Sequence, residues 1–151
     1  MSDNPTLIPY IVVSDAAAAI DFYKAAFSAE EVARHAAPNC DKLMHVSLKI
    51  NGGILMMSDD FSDSTGGKSQ TPEVLGGSPV TFHLAVDSAD SIWEQAVSAG
   101  AEVTMPLADQ FWGDRYGQLK DPFGHRWSIG QHIVKRTDAE IEEAAKTAFA
   151  G

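Results

Sequence analysis

The sequence predicts an α+β domain of two tandem βαβββ modules, their strands forming a curved mixed sheet around one cleft, with a helix added at the C-terminus. Three observations lead there. The first half of the chain alternates between strand and helix periods in the order β-α-β-β-β. The same order returns in the second half, with Ile20, Ala29 and Glu30 lying 72 positions before Ile92, Ala101 and Glu102. A last segment, after the repeat ends, carries the capping and charge pattern of a free-standing helix.

Residues 7–13 are apolar and β-branched, a strand-sized run. Ser14 and Asp15 offer an N-cap for a helix over 16–27, where Ile20, Tyr23, Ala26 and Phe27 share one face. Residues 30–35 read as a second strand. Residues 42–50 alternate, with Met44, Val46, Leu48 and Ile50 against His45, Ser47 and Lys49, which is the period of a half-buried strand. Asn51-Gly52-Gly53 is a turn signal, and 54–58 returns as the fourth strand. Residues 61–78, rich in Ser, Gly, Asp and Thr, read as a connector or mobile flap.

The second copy follows the first. A strand is expected at 79–86, a helix over 87–99 started by Asp87 or Ser88, and strands at 102–107, 111–120 and 125–133. The last two are separated by the turn Asp121-Pro122-Phe123-Gly124. Duplicated units of this size are expected to pack side by side around one cleft. Residues 1–136 are thus one domain, with modules at about 6–59 and 79–134 and a connector at 60–78, and 137–151 form a helical appendage capped by Thr137 or Asp138.

Composition narrows the function. With 44% apolar and 21% charged residues, 151 in all, the chain has the make-up of a globular domain able to bury its own core. No apolar run approaches a membrane span, and residues 1–5 lack the basic and apolar stretches of a signal peptide. Cys40 is the single cysteine, so no internal disulfide is available. A cytoplasmic protein is expected. The net charge of −10 repels phosphate backbones and anionic lipid, which argues against nucleic acid and membrane partners. The same acidity serves solubility or attracts a cationic ligand.

Several short patterns lack what their chemistry needs. Cys40 sits beside Asp41 and Lys42 with no base partner evident. Gly66-Gly67-Lys68-Ser69 ends like a phosphate loop, yet that motif needs glycine where Ser62 stands. Asp59, Asp60 and Asp63 have neither the spacing nor the glycine of a calcium loop.

The most specific stretches are Phe111-Trp112-Gly113-Asp114-Arg115-Tyr116-Gly117 and Asp121-Pro122-Phe123-Gly124-His125-Arg126-Trp127. With Val12-Val13-Ser14-Asp15, Ile20-Asp21-Phe22-Tyr23, Val86-Asp87 and Ala99-Gly100-Ala101-Glu102, they resemble the vicinal-oxygen-chelate group, the glyoxalase, bleomycin-resistance and dioxygenase fold, in its PhnB-like branch. The resemblance spans residues 7–133. It implies one metal ligand from the first and last strand of each module, at Ile8, Met56 (or Met57, one register away), Thr81 and Ser128. None of these is a strong metal donor. The expectation is therefore that no cofactor is held at the usual site. His83, on the same strand face as Thr81, reads as a pocket wall or a satisfied core residue. A displaced metal site using His83 and His45 is the alternative.

Trp112, Arg115 and Tyr116 would stack on and orient a flat or anionic ligand, or else fill core while Arg115 pairs with Asp114 or Asp121. Trp93 and Trp127 read as structural. The pocket expected from these readings is lined by Ile8, Tyr10, Met56, Thr81, His83, Ser128, Trp112, Arg115 and Tyr116, with no catalytic residue assigned. The function expected is metal-free binding of a small organic molecule, cationic or aromatic, of the drug-sequestering kind known in bleomycin-resistance relatives. The alternatives are a metal-dependent lyase, isomerase or dioxygenase of glyoxalase type with a non-standard metal site, and an accessory module with a vestigial cleft. The resemblance also implies a homodimer, with the cleft inside one chain or shared by exchanged modules.

Overall fold

The computed structural model describes residues 6–150; residues 1–5, read above for a signal peptide, and Gly151 lie outside the described part. The first module runs β1 (Tyr10–Val13), α1 (Ala16–Phe27), β2 (Glu30–Ala36), β3 (Leu43–Ile50) and β4 (Gly53–Asp59). The second runs β5 (Thr81–Ala85), α4 (Ala89–Ala99), β6 (Glu102–Asp109), β7 (Asp114–Lys120) and β8 (Arg126–His132). Between them the connector holds two single-turn helices, α2 (Ser62–Thr65) and α3 (Pro72–Leu75), and α5 (Asp138–Ala148) closes the chain. No helix among the described residues is long and apolar enough to cross a membrane.

The predicted α+β architecture is present as two four-stranded mixed sheets, ordered β1-β4-β3-β2 and β5-β8-β7-β6. In each, the first strand pairs in parallel with the last, and the other pairings are antiparallel. Three departures from expectation stand out. β1 begins at Tyr10 rather than at residue 7, because Pro9 has no N–H for a ladder; its carbonyl still accepts from the Met56 amide at 3.0 Å. β7 begins at Asp114, and 111–113 are a turn rather than strand. The connector is partly helical, with Gly66 and Gly76 ending its two turns in left-handed conformation.

α1 and α4 pack on each other and cover one face of each sheet. From β4, Leu55 and Met57 are buried toward α1, and from β8, Trp127 and Ile129 are buried against the helical layer. Trp127 lies against Tyr23 and Phe27 of α1, with ring centroids 5.4 and 4.6 Å apart. On each sheet the residues alternating with these face away from the helices. Met56 therefore lies on the open face of β4, and Met57 on the helix side.

The two modules repeat in detail. Asp15 caps α1, its carboxylate accepting from the Ala18 amide, and Asp59 at the end of β4 accepts from the Ala16 amide at 2.7 Å. At the matching place in the second module, Gln131 on β8 accepts from the Ala89 amide at 2.9 Å. The joint between modules is polar as well as apolar. His125 Nε2 meets the Val12 carbonyl at 2.9 Å, Asn51 Nδ2 donates to the Ala85 carbonyl at 2.8 Å, and Tyr23 Oη donates to Asp121 Oδ2 at 2.5 Å.

That last contact has a pH signature. Burial, and then the charge of Asp121, push the Tyr23 phenol well above its ordinary value near 10. A raised folded-state pKa means the native chain holds this proton more tightly than the unfolded chain. The stability it contributes is complete below about pH 10 and is lost as pH rises through the folded value. Urea midpoints measured from pH 9 to 12 are expected to fall more steeply in the wild type than in Tyr23→Phe. Parallel slopes would show that Tyr23 does not carry the dependence.

Candidate functional site

The open face of the second sheet is built from alternate residues of β5, β8 and β7. His83 is register partner to Ser128, Ser128 to Gln118, and Gly130 to Tyr116. His83 Nδ1 and Ser128 Oγ are 2.8 Å apart, and Ser128 is only 2% exposed. The His83 ring lies over β8 and stacks on Tyr116, with centroids 5.8 Å apart and planes at 24°. Gly130 makes this possible: a Cβ there would stand 2.7 Å from His83 Cε1. Gln118 Nε2 donates to Tyr116 Oη at 3.1 Å. The turn before β7 sets Trp112 edge-on to Tyr116 at 5.5 Å, held by its indole N–H donating to Asp114 Oδ2 at 3.1 Å. The result is a continuous wall of Trp112, Tyr116 and His83 with hydroxyl and amide groups at its foot.

The first sheet carries the counterpart. Tyr10 and Met56 are register partners on β1 and β4, the place His83 and Ser128 occupy in the second module. Tyr10 Oη lies 3.2 Å from His45 Nδ1, with ring centroids 5.7 Å apart. A first-strand aromatic against a third-strand aromatic thus occurs twice, tyrosine on histidine in one module and histidine on tyrosine in the other. Between the sheets lies a cavity of about 350 Å³ lined by Leu7, Pro9, Ile54, Thr81, His83 and Leu84.

Of the residues the sequence singled out, His83, Ser128, Tyr116 and Trp112 are brought together, Thr81 borders the cavity beside them, and Tyr10 and Met56 are the equivalent pair on the first sheet. Ile8 is half-buried just ahead of β1. Arg115 is not part of this group. It lies on the helix-side face of β7, where Asp90 of α4 takes its guanidinium at 2.9 and 3.1 Å and Asp109 at 3.1 Å. Neither Asp114 nor Asp121 is its partner. These contacts raise the Arg115 pKa and hold the Asp90 carboxyl below the usual carboxylate range. Gln118 was missed, although its alternation with Tyr116 signals the same face.

The residues at the four positions that metal-binding relatives would use do not fit an imidazole- or carboxylate-loving ion. Ile8 has no donor, Met56 offers a thioether, and Thr81 and Ser128 offer hydroxyls, with Ser128 Oγ already bonded to His83. Among the described residues no group of three or more His, Cys, Asp or Glu side chains is placed to share an ion.

Comparison with known proteins decides the family. A model of the Glyoxalase/Bleomycin resistance protein/Dioxygenase superfamily matches residues 6–129. The chain belongs to that superfamily. An uncharacterized protein of Mycobacterium bovis is 51% identical over 141 residues, covering 93% of this chain and 92% of the relative. Among solved structures, TioX from Micromonospora is 25% identical, covers 86% of this chain and 100% of its own, and superposes with a TM-score of 0.65. A PhnB protein from Bacillus cereus, 17% identical over 84% of this chain and 99% of its own, has the same fold with a TM-score of 0.65.

Proposed function

We propose that this superfamily member binds a small organic molecule, aromatic or cationic, on the open face of the second module, and does so without a metal ion. The observation that carries the reading is the Trp112–Tyr116–His83 wall above Ser128 and Gln118. Ring faces attract flat and cationic groups, while the hydroxyl and amide groups orient them. The charge of −10 favours a cation. The wall offers no paired carboxylates, and the hydroxyl His83 contacts, Ser128 Oγ, belongs to a residue only 2% exposed, so the wall suits holding a molecule, as in sequestration, better than transforming one. A homodimer in the cytoplasm is the assembly and setting proposed, with the tyrosine–histidine face of the first module turned to a ligand or to a second copy.

Isothermal titration with a panel of cationic and aromatic compounds tests it. Binding is expected to survive a chelator and to weaken at least about fivefold in the Trp112→Ala, Tyr116→Ala double variant, since two ring contacts contribute roughly 0.5–2 kcal/mol each. Absence of binding across the panel would overturn the proposal. Binding abolished by the chelator would turn attention to lyase, isomerase or dioxygenase chemistry.

A further inference from the structure

His35 and His45 are direct register partners on the adjacent strands β2 and β3. Their rings face each other with centroids 5.9 Å apart and planes at 29°. An ion bound to both rings at imidazole distances of about 2.0–2.1 Å would set the centroids roughly 4.5 Å apart for cis ligands and 6.3 Å for trans ones. The observed separation falls in that range, while the stacked planes must turn for the in-plane lone pair of each ring to point at a shared ion. Histidine χ2 is soft enough for ring rotation to aim a nitrogen of each at one point.

Tyr10 supplies the second part of the argument. Its single O–H donates to the Met44 carbonyl at 3.4 Å. With the O–H turned to that carbonyl, the same oxygen accepts from His45 Nδ1 at 3.2 Å, and Nδ1 carries the hydrogen. That leaves Nε2 of His45 with its lone pair free. An imidazole oriented through one nitrogen by a neighbouring oxygen, with the other open, is the arrangement that surrounds metal-bound histidine. β2 is the outer strand of its sheet and His35 is exposed on it, so water reaches the pair and can complete a coordination sphere.

The geometry points to a metal site at His35 and His45 on the open face of the first sheet, with Tyr10 as its positioning residue. The ions it fits are copper(II), nickel(II) and zinc, which favour imidazole nitrogen. It uses none of Ile8, Met56, Thr81 and Ser128 as ligands, and it lies on the first module, whereas the wall proposed to hold an organic molecule is on the second. The net negative charge raises the local concentration of cations around it.

Copper(II) titrated into the chelator-stripped full chain, followed by calorimetry and electron paramagnetic resonance, tests the site. One ion per chain is expected, with hyperfine structure from two imidazole nitrogens. His35→Ala and His45→Ala are each expected to weaken binding at least tenfold. Tyr10→Phe, which frees the His45 ring to turn, is expected to weaken it about tenfold. His83→Ala and the Trp112→Ala, Tyr116→Ala variant are expected to leave it unchanged, so failure of this site and failure of the organic-ligand site are read separately. Equal affinity in the wild type and the His35→Ala, His45→Ala double variant, or a spectrum without two equivalent nitrogens, would overturn the assignment. The exposed position of His35 makes loss of fold in that single variant unexpected, and a matching thermal midpoint checks it.

Discussion

Asp121→Ala is expected to lower folding stability by about 3–5 kcal/mol, the largest loss from any single carboxylate in the chain. Asp121 is 3% exposed, and both of its oxygens are fully used. Oδ1 accepts from the Phe123 and His125 amides, each at 2.9 Å, which forms the turn between β7 and β8. Oδ2 accepts from Trp127 Nε1 at 2.9 Å and from Tyr23 Oη at 2.5 Å, and the latter joins the second module to the first. Alanine would strand two buried side-chain donors and unlatch a turn at once. For a domain whose total stability is of order 5–15 kcal/mol, much of the native population is at stake. Asn at this position keeps one acceptor and sets an amide against donors, so an intermediate loss is expected, whereas Tyr23→Phe removes a single bond. Urea unfolding of the three variants gives the ranking directly. A loss near 1 kcal/mol for Asp121→Ala would mean that water or a neighbouring group replaces the carboxylate.

Gly113→Ala is expected to release the C-terminal segment. Gly113 sits at φ 104°, where a side chain is strained by about 1–3 kcal/mol. An added Cβ would also stand 2.1 Å from the Val134 carbonyl oxygen, a main-chain atom that no rotamer change can move. The contact it would break is specific, because the Ile133 and Val134 amides both donate to the Gly113 carbonyl at 3.0 Å. Beyond them come Lys135, Arg136 and the helix α5, whose Thr137–Glu140 capping box and Phe149–Phe111 ring contact at 5.9 Å end the described chain. Cleavage by trypsin after Lys135 and Arg136 is expected to quicken at least tenfold, since each 1.4 kcal/mol of destabilised closure raises the open population tenfold. An unchanged cleavage rate would show that the strap is held by something other than this turn.

These features differ in how plainly the sequence announced them. The alternation of β3, the cap at Asp15 and the offset of 72 between modules are local or periodic, and they were legible. So were the structural roles of Trp93 and Trp127, because each falls in phase with buried neighbours. The start of β1 was misread because apolar character outweighed the missing N–H of Pro9. The turn at 111–113 was misread because aromatic residues suit strands as well as turns. Arg115 found its partner 25 positions away on α4, a distance at which charge pattern says nothing. His35 and His45 meet only through the β2–β3 register, which two bulges shift and which no single-strand pattern encodes.

All inter-strand pairing stays within its own half of the chain. The parallel pairing that joins first strand to last brings Tyr10 to Met56 and Thr81 to Arg126, about 45 residues apart in each case. Refolding therefore has two loops of nearly equal size to close, neither of which contains the other. The closure entropy of the full chain is divided rather than accumulated, and the slow step expected after rapid collapse is the docking of two formed halves through Tyr23, Asp121, His125 and Asn51.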